Sequence, residues 1–354
     1  MTMMTDEIRA YVDGAAGRLR LNRPTAIHAL NEAMCRQMST ALLAWRDDPA
    51  VEAVVLDHAE GRGFCAGGDV VMIAQSRAVD KSAAGRFFFE EYRLNHLLFT
   101  YPKPVVAIMD GITMGGGVGI ALPCTYRVAT ENTRFAMPET TIGLFPDVGG
   151  GWYLSRLKGR VGQFLALTGA RLDGAECLEV GLATHYVASA DVPTLVERIL
   201  TAPGEIAGAL AAASCNPPEV RIRASLPLIS KLFAADRLED ILAALDTDPS
   251  DWATTEAATI RTKSPLSCKV SLRLLADGAN RSDFAAEMVA EHALASRIVW
   301  THDFGEGVRA LLIDKDKTPL WDPATPAQAT DAMLDALFAP APPGEEWRPF
   351  EDMK

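Results

Sequence analysis

The sequence has no run of the roughly 18 consecutive apolar residues that a bilayer-spanning helix requires. Its opening segment, MTMMTDEIRA, has neither the basic nor the apolar region of a secretion signal. These absences argue against a membrane protein and make the cytosol the expected compartment. Positive charge is not in excess: 34 Lys and Arg stand against 46 Asp and Glu, a formal charge of −12. Nucleic acid or an anionic membrane would therefore meet no attractive net field, and an anionic ligand needs a local site. Cysteine is sparse, with Cys35, Cys65, Cys124, Cys177, Cys215 and Cys268 forming no CxxC pair and no Cys/His spacing of a zinc site. Reduced, mostly buried thiols are expected. Cys65 sits in a Gly-rich loop where a nucleophile could act, but a small buried apolar side chain is the better fit. None of the six histidines (His28, His58, His96, His185, His292, His302) lies in an HExxH-type motif. The GxxxxGK[ST] phosphate loop is missing, and Gly115 opens a stretch that fails GxGxxG because its last position is Ile120. No metal and no redox cofactor is implied.

What is present describes a folded chain: 354 residues, 49% hydrophobic and 23% charged, enough for two domains or for one with an appended region. Short β-branched runs at 18–21, 53–56, 105–109 and 126–129 read as strands. Helical spacing of apolar residues appears at 31–47 and 84–100, the second fenced from the next strand by Pro102 and Pro104. This is an α/β alternation. After Val187 the pattern turns Ala-rich and proline-broken (Pro203, Pro217, Pro218), then helical at 226–245, 251–263, 265–277, 282–301 and 304–313. The expected organisation is a core over 1–200, a helical region over 201–340 and an extended tail over 341–354, without internal repeats.

Three clusters could carry chemistry. GRGFCAGGDV (61–70) and DGITMGGGVGI (110–120) are glycine-rich loops that expose backbone N–H groups to a close neighbour. A helix N-terminus adds roughly half a positive charge, so two such loops facing one point could hold a developing oxyanion. The third, FAMPETTIGLFPDVGGGWYLSRL (135–157), sets Glu139 and Asp147 eight residues apart among apolar neighbours. Partial burial there would raise their pKa values and suit them to acid/base or nucleophilic work.

In this order and spacing the clusters resemble the crotonase (enoyl-CoA hydratase/isomerase) superfamily, as does LNRPTAIHAL (21–30), with His28 where the family more usually has Asn. The resemblance implies a crotonase-type ββα spiral and an acyl-CoA thioester substrate. It also implies an oxyanion hole from the N–H groups of Gly68 and Gly116, with Ala66 and Gly67 against the substrate. Hydratases of the superfamily carry one glutamate in the PE motif, here Glu139, and another at the end of the second glycine motif, where this chain has Gly119. That substitution argues against a simple hydratase. EEYRLN (90–95), GITMGGGVG (111–119), FAMPETTIGLFPDVGGGWYL (135–154) and HDFGEGVRALLIDKDKTPLWDP (302–323) are similar to the 3-hydroxyisobutyryl-CoA hydrolase branch. The branch implies roles for Glu91, Gly116, Glu139 and Asp147, and hydrolysis of 3-hydroxyisobutyryl-CoA in valine degradation. Coenzyme A is then part of the substrate rather than a cofactor. Without the resemblance, Glu90 and Glu91 beside Arg86 and Arg93 read as a solvated charged face. Arg23 is expected either at the nucleotide end of CoA or in a salt bridge. Hydration or isomerisation on the same fold, and a non-catalytic CoA-ester-binding protein, are the alternatives. Neither a nucleic acid nor a membrane partner is expected, and a homo-oligomer stays open.

Overall fold

The computed structural model describes residues 6–77, 79–80 and 82–351. The first five residues of the opening segment and the last three of the expected tail lie outside the described residues. Four apolar runs form the interior of a six-stranded sheet. Its strands are β1 (Ile8–Asp13), β2 (Ala16–Leu21), β3 (Ala53–His58), β5 (Val105–Met109), β7 (Tyr126–Ala129) and β10 (His185–Tyr186), in that spatial order. All neighbours are parallel except β1 and β2. Parallel strands are covered on both faces and so read as continuous apolar runs. β1, at the open edge, has four exposed or half-exposed residues after Arg9 and gave no such run.

A second sheet has the order β4 (Gly63–Cys65), β6 (Ile112–Met114), β8 (Arg134–Ala136) and β9 (Leu172–Asp173). Its first three strands are parallel and each has three residues; β4 and β6 lie inside the two clusters read above as loops, and β8 overlaps the start of the third cluster.

Helix α1 (Glu32–Arg46) starts where the Asn31 side chain accepts the Met34 N–H at 2.9 Å. It buries Met34, Cys35, Met38, Leu42 and Trp45, a stripe of helical period. After α2 (Val70–Ser76), helix α3 (Ala83–Phe99) buries Ala84, Phe87, Phe88, Glu91, Tyr92, Asn95 and Leu98. Next come α4 (Gly116–Ala121), α5 (Gly150–Ser155), α6 (Val161–Thr168) and α7 (Gly174–Glu179). Helices α8 (Val192–Thr201) and α9 (Ile206–Ala213) set Leu195, Val196, Ile199 and Leu210 on one face of the large sheet, against Val55, Val106 and Val128.

The C-terminal helices are α10 (Leu226–Leu232), α11 (Leu238–Thr247), α12 (Asp251–Arg261), α13 (Pro265–Asn280), α14 (Phe284–Ile298), α15 (His302–Val308) and α16 (Asp331–Phe338). Their Leu274, Phe284 and Leu294, with Phe233 just after α10, join the same apolar cluster as Leu56, Phe87 and Leu154 of the sheet-bearing half. The helix expected over 226–245 is broken into α10 and α11. At the break Arg160 donates to the carbonyls of Phe233 and Ala235 at 2.7 and 2.6 Å, satisfying acceptors that a continuous helix would have used. Residues 341–350 form no helix or strand, and Trp347 among them is buried, its indole donating to the Phe89 carbonyl at 3.2 Å. No helix among the described residues is long and apolar enough to cross a membrane.

Candidate active site

Three parallel strands bring the three clusters together. Cys65 of β4 pairs with Thr113 of β6, and Met114 of β6 pairs with Ala136 of β8. The segments leaving their C-terminal ends are Ala66–Gly68, Gly115–Gly116 and Pro138–Glu139, and all of them line one cavity of about 320 Å³. Ligands of open parallel sheets sit outside these strand ends for the same reason.

The LNRPTAIHAL segment holds the first loop. Ala66 N–H donates to the Ile27 carbonyl, Leu30 N–H to Gly67, and Asp69 N–H to Leu30, at 2.7 to 2.9 Å. His28 takes a left-handed φ of 56° and is buried. Its Nδ1 accepts the Arg23 N–H at 3.0 Å and its Nε2 lies 2.8 Å from the Glu60 carbonyl, so the ring acts as a bracket. Cys65 is buried, its thiol facing the His28 carbonyl at 3.2 Å, and burial pushes its pKa up to about 12. It is a packing residue and not a thiolate.

Gly116 begins α4, where the N–H has no acceptor within the helix. A Cβ at Gly116 would stand 3.0 Å from the Gly68 nitrogen and 2.4 Å from Glu91 Oε1. The two backbones thus approach as closely as glycine allows, with the Glu91 carboxyl against them. The geometry suits two amide donors converging on one oxygen.

Three carboxyl groups line the cavity: Glu91 from α3, Glu139 after β8, and Asp147 from the loop before α5. All are at most 5% exposed. Glu91 Oε1 and Glu139 Oε2 have no hydrogen-bond partner among the described residues, while Asp147 Oδ2 accepts from the Tyr92 hydroxyl at 2.8 Å. Burial raises the pKa of Glu91 well above the usual carboxylate range, and the charges of Asp147 and Glu139 add to it. Glu139 is raised well above that range by burial and by Asp147. Asp147 is raised to about 7 by burial, against the opposing pull of the Tyr92 hydroxyl. Three buried acids with no cation among the described residues that line the cavity cannot all ionise, so the site holds protons at neutral pH. Phe87, Phe88, Leu144, Leu311 and Leu312 complete an apolar wall.

The family model for enoyl-CoA hydratase/isomerase matches residues 16–338. The chain belongs to this family. Among curated family members it is similar to 3-hydroxyisobutyryl-CoA hydrolase, mitochondrial, of Xenopus laevis, at 41% identity over 92% of this chain and 86% of that one. With the human protein of the same name the identity is 38%, over 95% and 89%. Of solved structures, one described as a carnitinyl-CoA dehydratase from Mycobacterium thermoresistibile has 40% identity and a TM-score of 0.91, covering 96% of this chain and 98% of that one. Another, described as an enoyl-CoA hydratase from Rhodobacter sphaeroides, has 35% identity and a TM-score of 0.90, over 97% and 100%. The crotonase-type α/β core with a helical C-terminal region is thus the fold of this chain.

Of the residues picked out from the sequence, Ala66, Gly67, Gly68, Gly116, Glu91, Glu139 and Asp147 meet at this cavity. Arg23 is not among its lining residues. Its guanidinium contacts Glu7 at 3.2 Å and Asp69 at 2.9 Å and donates to the Ala29 carbonyl, the salt-bridge half of the expectation. By bridging to Asp69, the cap of α2, it braces the Gly68 loop. Glu91 is buried, where a charged face would be solvated. A signal was present: Phe87, Glu91 and Asn95 repeat every four residues on the buried stripe, while Arg86, Glu90 and Arg93 share the other face. Sequence reasoning missed Tyr92, a residue of the EEYRLN motif whose hydroxyl holds Asp147. Among the described residues, no group of three or more His, Cys, Asp or Glu could hold a metal ion.

Proposed function

We propose that the chain hydrolyses 3-hydroxyisobutyryl-CoA to 3-hydroxyisobutyrate and CoA, as a step of valine degradation. The observation that carries this reading is the placement of the carboxyls. Glu139 lies beside the Gly68/Gly116 donor pair, while the position of the second hydratase glutamate is closed. A Cβ at Gly119 would stand 2.4 Å from Val148 Cβ and 3.0 Å from Asn95 Nδ2. In the reaction the thioester carbonyl oxygen faces the two N–H groups, each worth about 3 kcal/mol to the oxyanion. Glu139, ionised, attacks the carbonyl carbon to give a mixed anhydride, or takes a proton from a water that attacks. The C–S bond breaks and CoA leaves as a thiolate. Water then hydrolyses the anhydride, returning Glu139. Asp147 and Glu91 accept and donate hydrogen bonds to the 3-hydroxyl group in an otherwise apolar pocket. A reducing compartment, the cytosol in this proposal, agrees with six unpaired cysteines.

A second reading, reversible hydration of an enoyl-CoA, is favoured by the hydratase and dehydratase descriptions of the two solved relatives. One experiment separates the two: thiol release from 3-hydroxyisobutyryl-CoA beside loss of enoyl absorbance from crotonyl-CoA, in one preparation. Rapid thiol release that disappears in Glu139→Gln, with substrate binding kept, is the expected result. Hydration without thiol release would refute the hydrolase.

A further inference from the structure

The triple glycine after Asp147 is not explained by the chemistry above. Val148, a β-branched residue, has a left-handed φ of 54°, and Gly149 follows at 89°. The chain can turn this way because it is gripped from a distant helix. Glu291 of α14 accepts the Gly149 N–H through Oε2 at 2.7 Å and the Gly151 N–H through Oε1 at 3.0 Å. The carboxyl is fully buried. One helical turn earlier, Glu287 is also fully buried, and its Oε2 accepts from Arg281 at 2.9 Å. A Cβ at Gly151 would stand 2.0 Å from Glu287 Oε1. Gly149 is therefore needed for its backbone angle and Gly151 for the close approach of the acid pair. Two N–H donors two residues apart, both satisfied by one buried carboxyl, over-determine the turn between them. Asp147 stands directly before that turn, its own carbonyl accepting the Gly150 N–H at 2.8 Å and its carboxyl meeting Tyr92.

We infer that Glu291 is a positioning residue for Asp147: by clamping Gly149 and Gly151 it fixes the Val148 turn and thereby the placement of the Asp147 carboxyl in the acyl pocket. This rests on the reading of Asp147 as the group that recognises the substrate's 3-hydroxyl. Glu291 itself touches no substrate. Its removal should act on substrate choice in the same way as replacement of the Asp147 carboxyl.

The test compares kcat/KM for 3-hydroxyisobutyryl-CoA with that for isobutyryl-CoA, which lacks the hydroxyl, in the wild type, Asp147→Asn, Glu291→Gln and the double variant. Gln is nearly isosteric but presents an amide N–H to one of the two donors, so one clamp bond is lost. Glu291→Asp, too short to reach both donors, serves as the second variant should Glu291→Gln not fold by circular dichroism. We expect Asp147→Asn to lower the selectivity ratio at least tenfold. Glu291→Gln should lower it about as far, and the double variant should fall less than threefold beyond Asp147→Asn. A Glu291 variant that slows both esters equally and keeps the ratio has a structural role only and overturns the inference. So does a double variant in which the losses multiply. An Asp147→Asn enzyme with wild-type selectivity refutes the role of Asp147 itself, and the inference with it.

Discussion

Asp147→Asn should make the protein more stable at pH 8 while impairing it as an enzyme. The carboxyl is buried and its pKa is raised from 3.8 to about 7. A folded-state pKa above the unfolded value means that the native chain holds the proton more tightly. Stability is then greatest below the unfolded pKa and declines as pH rises, until the folded pKa is passed. A shift of about 3 units corresponds to about 4 kcal/mol, at roughly 1.4 kcal/mol per unit. Glu91 and Glu139 compete for the same protons, so the share released by changing Asp147 alone should be about 2 kcal/mol. Asn keeps an oxygen to accept the Tyr92 hydroxyl and carries no charge, so little else changes. Urea unfolding at pH 4 and pH 8 reads the effect. The variant should gain a midpoint of about 0.5 M at pH 8 and almost nothing at pH 4. A gain equal at both pH values, or a loss at pH 8, would refute the account of the site as a reservoir of buried acid.

Three further outcomes follow from the same geometry. Gly119→Glu should not create a hydratase: its Cβ would stand 2.4 Å from Val148 Cβ, so crotonyl-CoA hydration should stay at background and the unfolding midpoint should fall, by about 2 kcal/mol of overpacking. Gly116→Ala drives a methyl to within 2.4 Å of Glu91 Oε1 and, in the proposed mechanism, displaces one oxyanion donor; kcat for thiol release should fall about 100-fold or more. In the pH dependence of kcat/KM, the acidic limb should lie above the usual carboxylate range, because Glu139 must lose its proton and burial opposes this. Asp147→Asn should move that limb to lower pH, since the Asp147 charge is the second cause of the shift. A limb that stays in place would separate Glu139 from the rate.

The parts of the fold legible in the sequence are those where burial and period coincide. β5 falls on the residues expected, 105–109, because a parallel strand covered on both faces is apolar throughout, and β7 falls on 126–129 although Arg127 interrupts its apolar run. The strands β4, β6 and β8 were hidden because each has only three residues, β4 and β6 inside glycine-rich clusters that read as loops and β8 at the start of the third cluster. The residues that line the cavity were legible through their motifs, and the β4–β6–β8 pairing shows why those motifs meet. Glu291 could not be read in this way. It lies 142 residues from Gly149, on a helix whose sequence shows only an ordinary acidic residue, and its role exists only once α14 has docked on the loop. Glu91 lies between these cases, since its place on the apolar stripe of α3 is visible once Phe87 and Asn95 are counted with it.

The number of carboxyls does not decide between hydration and hydrolysis here; their entry points do. A hydratase working through two carboxylates must take a proton from water and handle another at the α-carbon in one arrangement, with the second group on the helix that starts at the oxyanion loop. In this chain that helix is α4, and its Gly119 is packed against Val148 and Asn95. The two other acids enter from α3 and from the Asp147 loop instead. With no cation among the described residues that line the cavity, one ionised carboxylate among three raises the pKa of the rest. The site therefore offers one nucleophile or base and two neutral acids at a time. Thioester hydrolysis suits that supply. It needs one nucleophile at the carbonyl carbon and donors for a polar substituent, and a leaving thiolate with a thiol pKa of about 8.5 departs with little help from an acid.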